Sequence, residues 1–104
     1  MNAVENQVRQ LVEVELAAAN ERFPQFHSAH EGYAVILEEF EEVKEQMAAG
    51  ERFLGYMWDR IRHDSPAKNA SDNLMLFAIG AACEAIQVAA MCKKFLEMEA
   101  VNGG

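Results

Sequence analysis

Apolar residues recur along the chain at the three-and-four spacing of helices, in four stretches separated by turn formers. Over residues 3–22, Val4, Val8, Leu11, Val12, Val14 and Leu16 keep near that spacing. Pro24 predicts its end, because the residue before a proline is pushed away from helical angles. A second helix is predicted over 29–49. Ser28 can cap it, Glu31 three residues on completes a capping box, and Gly50 supplies a stop. Its stripe of Tyr33, Ile36, Leu37, Phe40, Val43 and Met47 opposes Glu38, Glu41, Glu42 and Glu45, so it is expected to pack on one face. A third helix over 51–63 carries Phe53, Leu54, Met57, Trp58 and Ile61. HDSPAKNASD, rich in turn formers, reads as a loop. The fourth helix, over 72–99, would be about 42 Å long at about 1.5 Å per residue.

That last helix holds LMLFAIGAACEAIQVAAMC, residues 74–92, which is apolar nearly all round. Its length suggests a membrane span, but Glu84 near its centre would cost about 2.5–3.5 kcal/mol to insert. The reading adopted is a protein-buried helix and no membrane partner. Three short helices cannot cover so much apolar surface, so a second copy is expected to do so, with Gly80, Ala81, Ala82, Ala85, Ala89 and Ala90 allowing close approach. The expected architecture is all-α: one domain over residues 1–104, a four-helix antiparallel bundle-like fold completed by homo-oligomerisation, as a dimer or tetramer.

Composition narrows the picture further. With 104 residues, 51% hydrophobic, 2 Pro and 6 Gly, a packed helical domain is favoured over disorder or sheet. Seventeen acidic against nine basic residues give a net charge of -8, which repels nucleic-acid phosphates. Cys83 and Cys92 lie nine apart on one predicted helix, about 180° around its axis, and so cannot pair within the chain. Reduced thiols and a polar opening segment without signal-peptide character point to the cytoplasm.

The candidate chemistry lies on the second and fourth helices. In LEEFEEVKEQ, Glu38, Glu39 and Glu42 form E-E-x-x-E. Glu39 and Glu42 are about 60° and one turn apart, so both carboxylates can reach one cation. Val35 on the same stripe indicates that this edge is partly covered. A Glu-rich helix face is more commonly a solvated surface, but Glu84 and Gln87 form a second i, i+3 pair on an otherwise apolar helix. If the two helices pack together, Glu39, Glu42, Glu84 and Gln87 offer the oxygen ligands that a hard cation such as Mg²⁺ prefers. The alternative is that Glu84 pairs with Lys44, Arg60, Arg62 or another chain while Gln87 bonds backbone.

These residues carry a resemblance. HEGYAVILEEFEEVKE (30–45) followed by EAIQVAAM (84–91) resembles the all-α nucleoside triphosphate pyrophosphohydrolases of the MazG type, particularly short phage- or prophage-borne members, over roughly residues 27–97. In that family E-E-x-x-E and a later E-x-x-D on adjacent helices hold Mg²⁺ against a nucleoside triphosphate. The resemblance implies that Glu38, Glu39 and Glu42 match the first motif and Glu84 opens the second. It also implies hydrolysis of the triphosphate to a monophosphate and pyrophosphate with Mg²⁺ or Mn²⁺, with Glu38 or Glu39 taking the proton of the attacking water. Gln87 departs from the pattern: its amide brings no charge, which implies weaker metal binding and weakened or lost catalysis. The competing reading is a non-catalytic phage- or prophage-type helical oligomer that works as a protein-interaction module.

Other residues read more plainly. His27 and His30 flank the capping box and lack a third ligand nearby. Tyr33 and Trp58 fall on apolar stripes and are expected in the core. Lys93 and Lys94 either meet phosphate or favour the carboxyl end of the helix dipole. The six Met residues suggest adaptable packing.

Overall fold

A computed structural model describes residues 3–101; residues 1, 2 and 102–104 of the expected 1–104 domain lie outside the described residues. The described chain is all-helical, with α1 over Glu5–Arg22, α2 over Ala29–Arg62 and α3 over Lys68–Val101. There are therefore three helices where the periodicity predicts four. The expected helices over 29–49 and 51–63 are one, and α2 passes through Gly50 without a break.

The reason lies in packing. Gly50 is buried, and a Cβ placed there would come within 3.2 Å of Leu74 Cδ1 and 3.6 Å of Phe77 Cβ. A mid-helix glycine costs about 1 kcal/mol relative to alanine. Here its missing side chain leaves room for apolar contacts worth more than that. At the start of α2, Ser28 Oγ accepts the Glu31 N–H at 3.1 Å, as expected. The Glu31 carboxylate reaches one residue further back than a standard capping box and accepts the His27 N–H at 3.3 Å.

The second loop is shorter than HDSPAKNASD suggests, because α3 begins at Lys68 rather than near 72. Residues with turn character are held in helix by pairs four apart. Lys68 bonds Asp72 at 2.7 Å, and the Asn73 side-chain amide donates to the Asn69 carbonyl at 2.8 Å. The turn itself places Asp64 at φ 54, a left-handed conformation that Asp tolerates better than most residues. The Ser65 N–H closes it on the Arg60 carbonyl at 2.9 Å.

The described chain divides into two compact units. In residues 41–84 the last part of α2 and the first part of α3 form an antiparallel hairpin. Phe53 stacks on Phe77 with centroids 5.7 Å apart and meets Tyr56 edge-on at 5.4 Å. Ala49 and Ala81 are buried here. In residues 3–40 with 85–101, α1 and the loop after it lie against α2 and α3. Leu16, Phe26, Ala90 and Met98 are buried in that unit, and the Gln25 amide donates to the Lys94 carbonyl at 3.0 Å. Gly32 is the tightest approach in it, since a Cβ there would sit 2.5 Å from Phe95 Cδ2 and 2.9 Å from Phe26 Cδ2.

Two glycines therefore predict opposite outcomes. Gly55 has no atom within 4 Å of a would-be Cβ, so Gly55→Ala should stabilise by about 0.5–1 kcal/mol through helix propensity. Gly32→Ala should destabilise by about 1–3 kcal/mol, because two aromatic rings must move. Urea titrations of both variants check this. A stabilised Gly32→Ala would mean that the rings yield freely.

The side of α2 turned toward the rest of the chain is not the expected stripe. Gly32, Val35, Ile36, Val43, Ala49, Gly50, Phe53 and Met57 are buried or half-buried, while Leu37, Phe40 and Met47 are exposed. Tyr33 and Trp58, expected in the core, are 65% and 64% exposed. The α3 helix is long and apolar enough to cross a membrane by length and composition, yet only 17% of its most apolar 18-residue window is buried by the described chain. Most of that window is left uncovered by the described chain, the surface that the sequence reading assigns to a second copy. Met75, Leu76 and Ile79 project from α3 with more than half of their surface exposed.

Candidate functional site

The face of α2 that packs inward also carries the acidic motif. Helical spacing puts Val35, Glu39 and Glu42 on one edge, and Val35, Glu39 and Glu42 are all half-buried. Glu38, one residue earlier than Glu39, is exposed, as is Glu41. On α3, Glu84 and Gln87 are half-buried between exposed Cys83 and Ala85 on one side and Ala89 on the other.

Within residues 41–84, Glu42 and Glu84 each present a carboxylate oxygen, and the two oxygens lie within 4.8 Å of each other. One oxygen of Glu39 and one of Glu84 are sealed from solvent. Two ionised carboxylates at that separation repel by about 3 kcal/mol at an effective dielectric of about 20. A divalent cation held between them would offset that repulsion. The donor set, carboxylate oxygens alone, matches the chemistry of a hard divalent cation rather than of a soft one.

Gln87 enters through a cavity rather than through the acidic cluster. Within residues 3–40 and 85–101, Glu39 and Gln87 line a cavity of about 570 Å³ whose walls are mostly apolar, with Phe23, Phe26, Val35 and Met91 among them. At its other end stands Lys94, for which the sequence leaves two readings, a phosphate contact or a charge favoured by the helix dipole. Lys94 is only 2% exposed, and its ammonium lies over the Phe26 ring, 5.1 Å from the centroid. Lys93 behaves differently: it is exposed and pairs with Glu13 of α1. Lys94 differs from Lys93 in its register on α3. It follows Gln87 by seven residues, two helical turns, which places both on one stripe of α3.

Glu31 lines the cavity near Lys94. The His27 imidazole, bonded to it at 3.0 Å, holds the Glu31 carboxyl below the usual carboxylate range. Desolvation opposes this, and the His27 backbone N–H and the charges of His27 and Lys94 assist it. This also accounts for His27: it braces Glu31 at the start of α2. Cys83 and Cys92 are both exposed thiols. Compared with family models, curated proteins and solved structures, the chain gives no match to any of them.

Proposed function

We propose that the chain is a MazG-like, Mg²⁺-dependent nucleoside triphosphate pyrophosphohydrolase, cytoplasmic and homo-oligomeric. The approach of Glu42 and Glu84 carries this reading, because the resemblance calls for E-E-x-x-E and the later motif opened by Glu84 to act together. Glu39, Glu42 and Glu84 would hold the cation, Mg²⁺ or Mn²⁺, with the Gln87 amide oxygen as a neutral fourth ligand. When bound, the cation supplies charge neutralisation at the phosphate oxygens. Glu38, which is exposed, or Glu39 would take the proton of the attacking water at its carboxylate. The apolar cavity beside Glu39 would receive the nucleoside and exclude water from it.

The test is pyrophosphate release from a panel of nucleoside triphosphates with Mg²⁺ or Mn²⁺, comparing the wild type with Glu39→Gln. No release from any substrate, or release unchanged by the substitution, removes the hydrolase reading. Gln87→Asp restores the charge that the family has there. It should tighten Mg²⁺ binding by roughly tenfold, about 1.4 kcal/mol, read as a shift in the metal titration midpoint. Weaker binding in that variant would mean that Gln87 does not face the ion.

A second reading, the non-catalytic oligomer that serves as an interaction module, is favoured by the uncovered apolar residues of α2 and α3. Both readings share the oligomer, so assembly alone does not separate them; metal-dependent turnover does.

A further inference from the structure

Resting on the hydrolase reading, we propose that the cavity at Lys94 selects nucleotides whose base carries a carbonyl group on its outer edge, over those with an amino group there. The cavity holds about 570 Å³, within the range of small-molecule sites. Along α3, Gln87 and Lys94 are separated by about 10 Å of helix rise, and along α2, Glu39 and Glu31 by about 12 Å. These spans match a nucleoside from its 5′ phosphate to the far edge of its base. A phosphate held near Glu39 and Gln87 therefore puts the base edge at Lys94, with Phe23 and Met91 as apolar walls for the ring.

The chemistry of that end then sets the preference. A lysine ammonium has three donors and no acceptor, so it bonds a ring carbonyl and opposes an amino group. Lys94 is fixed by burial and by the Phe26 ring beneath it, and cannot swing away to water. Glu31 on the same wall works against an anionic group, so the end suits a neutral acceptor better than a second phosphate. An amino-edged base would leave the buried ammonium facing N–H groups, and unmet buried donors are what make such sites discriminate.

The test is equilibrium binding of nucleoside monophosphates with Mg²⁺ present, using two pairs that exchange a ring carbonyl for an amino group: uridine against cytidine, and inosine against adenosine. The wild type should bind the carbonyl member of each pair at least about tenfold more tightly. Lys94→Met, which keeps the apolar stem, should bring each ratio within about twofold by weakening the carbonyl member, with melting temperature measured alongside. Equal binding within the wild-type pairs, a preference that survives in a folded Lys94→Met, or no binding of any of the four overturns the proposal. The wild-type ratios decide the matter even if the variant fails to fold. Discrimination in binding with no hydrolysis would leave this inference standing and remove the hydrolase reading, while hydrolysis without discrimination would do the reverse.

Discussion

Glu84→Gln is expected to lower nucleotide hydrolysis at least about a hundredfold and, without metal, to raise the melting temperature. Both effects follow from one geometry. Glu84 brings its carboxylate within 4.8 Å of that of Glu42, so its charge adds to the attraction for a cation and to the repulsion without one. A lost ligand charge worth about 3 kcal/mol corresponds to roughly a hundredfold in rate. Relief of even about 1 kcal/mol of repulsion in the metal-free protein would raise the melting temperature by about 4–8 °C. Thermal melts with chelator and with Mg²⁺, beside the turnover assay, separate the two. If the variant melts lower in chelator, Glu84 is a structural residue and the cation reading loses its support.

The second large effect concerns assembly. Leu76 and Ile79 lie three apart on the uncovered side of α3, 61% and 54% exposed. If a second copy covers them through a two-fold interface, each substitution acts twice. Burial of such side chains contributes about 1.5–3 kcal/mol each, so Leu76→Glu with Ile79→Glu should weaken a dimer by about 6 kcal/mol or more, roughly 10⁴-fold in Kd. Sedimentation velocity at micromolar concentration should show the double variant as a monomer and the wild type as a larger species. An unchanged sedimentation coefficient would show that another face mediates assembly. Wild-type protein that partitions into lipid vesicles instead would point to a membrane as the cover for α3.

The helical character was open to reading from periodicity because it is local: Pro24 stops α1, and Ser28 starts α2 with its own side chain. The breaks at Gly50 and over 68–72 were misread because propensity counts a glycine, or an Asn and Ser run, without seeing what lies opposite. Leu74 and Phe77 turn Gly50 into a close-packing position, and the Lys68–Asp72 pair keeps α3 wound. Hydrophobicity also could not choose the buried side of α2. Tyr33, Leu37, Phe40 and Met47 form the richer apolar stripe, yet the side taken is the one where small residues let helices approach, Gly32 and Gly50 among them. The two acidic pairs, Glu39 with Glu42 and Glu84 with Gln87, are legible in the sequence because each keeps i, i+3 spacing within partly apolar surroundings. Lys94 and its cavity are not, because the loop bearing Phe23 and Phe26 closes over them through contacts distant in sequence.

The tight turn at Asp64 bears on how the chain finds its fold. The unit of residues 41–84 is continuous in sequence and doubles back about that turn, so its contacts can zip outward from short loops at little entropic cost. The unit of residues 3–40 and 85–101 joins segments far apart along the chain, and its closure becomes cheaper once the intervening hairpin has shortened the effective loop. The hairpin is therefore expected to form first, so that the wall residues Phe26, Gln87 and Lys94 assemble late in folding.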